Sequence, residues 1–116
     1  MNDLYTSYLG KDVNVIIDRP IGSNHPKHDL KYEVNYGFIP NTKAPDGEEI
    51  DAYVLEVNVP LEKFYGKCIA VIHRLNDNDD KLIIVPGEYE KITNEEIIKF
   101  TLFQEKYFKS IIIRAK

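Results

Sequence analysis

The stretch APDGEEIDAYVLEV, residues 44–57, sets four carboxylates, Asp46, Glu48, Glu49 and Asp51, against the start of an apolar run. Side chains alternate across an extended chain, so Asp51, Tyr53, Leu55 and Val57 share one face. That alternation, rich in aromatic and branched residues, predicts a strand over 49–57. Asp51 is therefore expected to point with the apolar row, toward a barrel interior near its mouth. An ionised carboxylate there is costly unless it is paired or ligates a metal. Asp46 and Glu48 precede it, and Gly47 permits a tight turn that aims both at Asp51. Oxygen ligands from a turn beside a rigid strand have the chemistry of a hard-cation site. The same residues also read as a solvated Asp-Gly turn, and taken alone they do not separate the two.

Outward from this stretch, two-residue alternation continues. DVNVII (12–17) places Val13, Val15 and Ile17 on one face; YEVNYGFI (32–39), GKCIAVIHRL (66–75) and KLIIVP (81–86) are further strand candidates, and SIIIR (110–114) is a closing one. One helix is expected. Thr93-Asn94-Glu95-Glu96 matches a capping box, and Ile97, Phe100, Phe103 and Tyr107 follow at helical spacing. Short strands with one late helix indicate a mainly β, α+β chain: a small closed or nearly closed β-barrel with a C-terminal helix packed on it, in a single domain over 1–116.

NDNDDK (76–81) is a second acidic loop, with Asp77, Asp79, Asp80 and then Lys81. It lacks the Gly and Glu spacing of an EF-hand. By itself it reads equally as a solvated hairpin tip. Two acidic loops at one end of a barrel would repel each other unless cations lay between them. Magnesium suits such a set, because it uses few carboxylates and leaves positions for phosphate oxygens. Cationic and phenolic groups should then hold the anion. Arg19, Lys81, Tyr36 and Tyr107 are the candidates, against readings of Arg19 as surface and of the tyrosines as packing. His25 and His28 in HPKH fit a loop, or a basic loop over an anion, better than zinc.

The 116 residues carry 43% hydrophobic side chains and a formal charge of −4. The acidic balance argues against a nucleic-acid partner. No apolar run is long enough to span a membrane and the N-terminus lacks a signal-peptide pattern, so the cytoplasm is expected. The single Cys68 excludes an internal disulfide and reads as a buried strand position.

Four segments together resemble the soluble, family I inorganic pyrophosphatases, in a short-chain pyrophosphatase-like branch. DGEEIDAYVL is similar to that family's acidic signature, NYGFIP to the segment before it, DDKLIIVP to its Asp-x-Lys stretch and FQEKYF to the start of its C-terminal helix. The resemblance implies a five-stranded OB-like barrel and hydrolysis of pyrophosphate to phosphate with magnesium, or manganese as the alternative. Carried over, it makes Asp46, Asp51, Asp79 and Asp77 metal ligands and gives Glu48 the activation of water. Tyr36 and Tyr107 become site tyrosines, Lys81 and Arg19 bind phosphate, and Asp18 lies beside the metals. The chain departs from the pattern in being short. The hairpin that supplies a Lys and an Arg is absent between Arg19 and Tyr36, Glu49 replaces a Pro, and Phe108 replaces a Lys. Arg19, His25, Lys27 and His28 are candidate replacement cations.

The leading expectation is a diphosphatase-like phosphoanhydride hydrolase acting on a small phosphate-bearing substrate, with room for self-association into a homo-oligomer. Its alternative is a weak or inactive module that binds metal and phosphate ligand. A third is an enzyme for a larger, less charged phosphate compound, and a fourth is a structural barrel with decorative acidic loops.

Overall fold

The computed structural model describes residues 3–77 and 79–115, so Asn78 of the second acidic loop lies outside them. A short helix α1 (Asp3–Thr6) leads into β1 (Asp12–Arg19), β2 (Asn35–Ile39), β3 (Ile50–Val54), the long β4 (Lys63–Arg74) and β5 (Lys81–Val85). A single 3-10 turn (Gly87–Tyr89), α2 (Asn94–Glu105) and β6 (Ser110–Arg114) follow. The strands run in the order β1-β2-β3-β5-β4-β6. The first part of β4 pairs back onto β1, from Asp12↔Lys67 to Ile16↔Lys63, and closes a five-stranded barrel. Its last part carries β6 outside that ring. Pairing is antiparallel except between β3 and β5, which run parallel.

Closure explains why the apolar residues fall into two groups. Val13, Val15 and Ile17 of β1 meet Ala52, Val54, Leu82 and Ile84 inside the barrel, with Tyr5 of α1 packed on the same cluster. Tyr53, Leu55, Ile83 and Val85 face outward and are covered by Ile97 and Phe103 of α2. Strands buried on both faces lose the polar half of the alternation, as Leu82-Ile83-Ile84-Val85 shows. β1, with one wet face, keeps it.

This arrangement corrects the orientation expected for Asp51. The row it shares with Tyr53 and Leu55 lies on the barrel's outer surface beneath α2, whereas Ala52 and Val54 fill the interior. The row also ends early. Glu56 has a φ of 68°, which breaks the alternation, and Val57 packs on the inner cluster instead.

The strand expected from residue 32 begins only at Asn35. Tyr32 instead exchanges backbone hydrogen bonds with Gly22 and Ser23, each 2.8 Å, which folds residues 22–32 into a short hairpin-like loop. The fully buried Asn35 holds that loop's base: its Oδ1 accepts from the amides of Ile21 and Leu61, and its Nδ2 donates to the carbonyls of Val57 and Val59. Gly37 is required where β2 crosses β1, since a Cβ there would sit 1.8 Å from the carbonyl oxygen of Ile16. The capping box forms at α2. Thr93 Oγ1 accepts the Glu96 amide at 3.1 Å, and Glu96 Oε1 accepts the Thr93 amide at 3.2 Å. The helix stops at Glu105, so Tyr107 is not part of its packed face; it lies beyond the end, 66% exposed.

Candidate active site

The parallel pairing of β3 with β5 sets Asp51 directly opposite Lys81. Lys81 Nζ donates to Asp51 Oδ2 at 2.7 Å and lies 2.8 Å from Asp79 Oδ2, so one ammonium bridges the two acidic loops. Its side chain is only 3% exposed, with the Tyr36 ring 5.4 Å away. Burial pushes the Asp51 carboxyl above the usual carboxylate range. Lys81 pulls it back down, and Asp79 pushes it up again. Burial and the Asp51 charge hold the Tyr36 hydroxyl well above the ordinary phenol value. Tyr36 is therefore a hydrogen-bond donor at neutral pH and not a base.

A second charged group lies at the end of β4. Arg74 makes a two-pronged contact with Glu105 of α2, Nε to Oε1 at 3.0 Å and Nη2 to Oε2 at 2.7 Å. Its Nη1 reaches Asp77 Oδ2 at 3.3 Å and Asp79 Oδ2 at 3.5 Å, and the guanidinium sits 3.5 Å above the Phe108 ring. Burial disfavours the guanidinium charge, but bonding to Glu105 outweighs it and the net shift is upward. Glu105 also accepts from the Tyr53 hydroxyl at 2.6 Å. That hydroxyl accepts from Gln104 Nε2, and Gln104 Oε1 accepts from Tyr32. α2 is thus tied to the barrel by a polar chain as well as by its apolar face.

These groups border a cavity of about 660 Å³ between the barrel, the 22–32 loop and the chain after α2. Of the residues expected from sequence, Asp18, Arg19, Tyr36, Asp51, Asp79, Lys81 and Tyr107 line it. Arg19 Nη1 sits 3.5 Å from Asp18 Oδ2. His25 and His28 also line it, but Lys27 does not. Asp46, Glu48 and Asp77 are outside its lining. Asp46 spends Oδ1 on the Glu48 amide at 3.0 Å, in a turn closed by Gly47 at a φ of 90°, and both side chains are exposed. Asp77 accepts the Asp79 amide at 2.9 Å while pairing with Arg74. Asp80 turns away from the cavity to His73 Nδ1 and the Arg74 amide. The expected convergence of Asp46, Asp51, Asp77 and Asp79 is thus not what the geometry displays. Among the described residues, no three His, Cys, Asp or Glu side chains form a ready metal-binding group.

Sequence reasoning passed over Arg74, Glu105, Gln104 and Tyr32, and named Phe108 only as a departure from the family pattern. Glu105 had a readable signal: it continues the buried line of Ile97 and Thr101 at four-residue steps, where an acid needs a partner. Cys68 is buried as expected, and burial pushes its thiol up to about 12.

A model of the inorganic pyrophosphatase family matches residues 13–112. The chain belongs to that family. It is 31% identical to an inorganic pyrophosphatase of Mesorhizobium japonicum over 82% of this chain and 66% of the relative. It is 30% identical to that of Brucella melitensis over 87% of this chain and 69% of the relative. It thus spans about two thirds of the length of these pyrophosphatases. The fold is that of the inorganic pyrophosphatases of Ehrlichia chaffeensis, with a TM-score of 0.71 at 22% identity over 91% of this chain and 87% of that one, and of Helicobacter pylori, with 0.68 at 20% over 90% and 85%. Pyrophosphatases of this family use divalent metal ions. No helix among the described residues is long and apolar enough to cross a membrane.

Proposed function

We propose that this pyrophosphatase-family chain hydrolyses inorganic pyrophosphate, or a related phosphoanhydride, to phosphate in the cytoplasm, with magnesium or else manganese. The observation that carries the reading is the Asp51–Lys81–Asp79 group on the cavity wall of a family member. The donor set fits a magnesium ion. Asp51 near the start of β3 and Asp79 two residues before β5 are two carboxylates whose Oδ2 atoms lie no further apart than their two contacts to Lys81 laid end to end. Magnesium takes one or two carboxylates and completes its shell with water and substrate phosphate. Bound there, it would supply charge neutralisation and a more acidic water.

The chain's own residues then divide the remaining work. Lys81, held at the junction of both carboxylates, offers its ammonium to a phosphate oxygen and offsets the charge that develops there. Arg19 binds the other phosphoryl group, Tyr107 contacts the substrate, and Tyr36, beside Asp51, favours its ionised form by hydrogen bonding. Asp18 holds Arg19. The resemblance assigns water activation to Glu48 and further ligation to Asp46 and Asp77. All three lie outside the cavity lining, so the proposal rests on Asp51 and Asp79. The reaction forms one bond from water oxygen to phosphorus, breaks the bridging phosphorus–oxygen bond and releases one proton.

A binding module without turnover is the second reading. It is favoured by the pairing of Lys81, Arg74 and Arg19 with carboxylates. Phosphate release from pyrophosphate with and without magnesium decides between them. We expect magnesium-dependent release that falls by about 100-fold or more in Asp51→Asn, with an unchanged circular dichroism spectrum. Near wild-type release in that variant would sink the assignment of Asp51.

A further inference from the structure

We infer that the cavity takes a phosphoanhydride carrying a flat aromatic group, such as a nucleoside diphosphate, in preference to bare pyrophosphate. This rests on the phosphoanhydride reading of the same site and names its substrate class. Three observations lead there.

The first is size. A cavity of about 660 Å³ lies within the range of about 300–1,000 Å³ typical of sites for drug-sized ligands. Bare pyrophosphate, with its two phosphorus and seven oxygen atoms, would fill only part of it.

The second is charge. The cations on the lining are Arg19, Arg74 and Lys81, facing the acids Asp18, Asp29, Asp51 and Asp79. Each of the three is already in contact with at least one carboxylate. Such a wall suits an anhydride with one end esterified, which carries less charge than the free anion.

The third is a ring surface on the cavity lining. His25 and His28 have ring centroids 4.6 Å apart, and His25 lies nearly parallel to Tyr32 at 13° and 6.3 Å. Burial, with His28 and Arg19 nearby, lowers the basicity of His25. Tyr107 is exposed and lines the same cavity. Imidazole and phenol faces on a cavity lining offer a stacking platform for a nucleobase. The 22–32 loop therefore supplies a ring surface at the place where replacement cations were expected.

With such a substrate, water oxygen bonds to the terminal phosphorus and the bond from that phosphorus to the bridging oxygen breaks. The bridging oxygen departs on the nucleoside monophosphate, and one proton passes to solvent.

The test compares two non-hydrolysable probes on the full chain with magnesium by calorimetry: methylenediphosphonate and α,β-methylene-ADP, which share the phosphorus–carbon–phosphorus unit. We expect the nucleotide to bind about tenfold more tightly, from one stacked base. In His25→Ala/His28→Ala the ratio of the two affinities should fall to about one. Equal or weaker nucleotide binding in the wild type overturns the inference, as does a preference the double variant leaves intact. Phosphate release, measured separately, keeps the two readings apart. Release from pyrophosphate with no nucleotide preference retains the hydrolase and removes the inference. A histidine-dependent preference without release from pyrophosphate or ADP retains the nucleotide site and removes the hydrolysis. Binding of neither probe overturns the inference.

Discussion

The two acidic loops look alike in sequence and behave differently in the fold. Residues 76–81 are drawn in by cations: Arg74 and Lys81 flank the loop and take Asp77 and Asp79, while His73 takes Asp80. Residues 46–49 meet no such partner among the described residues. Asp46 closes its own turn, Glu48 and Glu49 stay exposed, and only Asp51, already inside β3, reaches a cation. A run of carboxylates is placed by its counter-charges. The pairing of β3 with β5 supplies one ammonium to both loops, and the end of β4 supplies a guanidinium to the second alone.

The largest effect expected from breaking this contrast is at Arg74. Replacing it by Ala leaves Glu105 buried without its counter-charge and releases Asp77, while Asp79 keeps Lys81. A loss of about 3–5 kcal/mol in urea unfolding should follow. Arg74→Met combined with Glu105→Gln should recover part of that loss, because the uncompensated charge is removed. If Arg74→Ala unfolds like the wild type, the second loop is not held by this residue.

Lys81→Met sharpens the contrast through pH. Asp51 is raised by burial and restrained by Lys81, so losing the ammonium should raise its pKa further. A carboxyl whose folded value exceeds its unfolded value adds stability at low pH, and that contribution is lost as pH rises through the folded value. Lys81→Met should therefore be more destabilised relative to wild type at pH 7 than at pH 4, and the acid limb of any magnesium-dependent release should move to higher pH. An equal loss of stability at both pH values would show that Asp51 is not the group Lys81 controls.

The smallest effect is expected at Asp46. Asn can accept the same Glu48 amide, so Asp46→Asn should leave the melting temperature unchanged and phosphate release within about twofold. A 100-fold loss of release instead would mean that the first loop joins the site during turnover, as the family resemblance implies for Asp46 and Glu48.

Much of the barrel was legible because its signals are local. Alternation in β1, the run in β5 and the Thr93–Glu96 capping box each depend on neighbours in sequence, and each appears where its residues place it. The start of β2 was not legible, because Tyr32 chose Ser23 as a pairing partner in place of a strand neighbour. The chain after α2 was misjudged for a similar reason. Tyr107 continues a helical count, but the helix ends at Glu105, which is held by Arg74 and Tyr53.

The sequence by itself determined that the chain forms a mainly β barrel with one capped helix and that Cys68 is buried, and its motifs named Asp51, Asp79 and Lys81, which the structure brings into contact. Strand period, capping and the family's motifs all act over short distances. Only the tertiary structure decided which face of β3 is the barrel interior, since both faces are apolar and closure alone separates them. It alone brought Arg74 to Glu105 and the His25–His28 rings to the cavity lining. Those contacts join residues far apart in sequence, and no local preference specifies them.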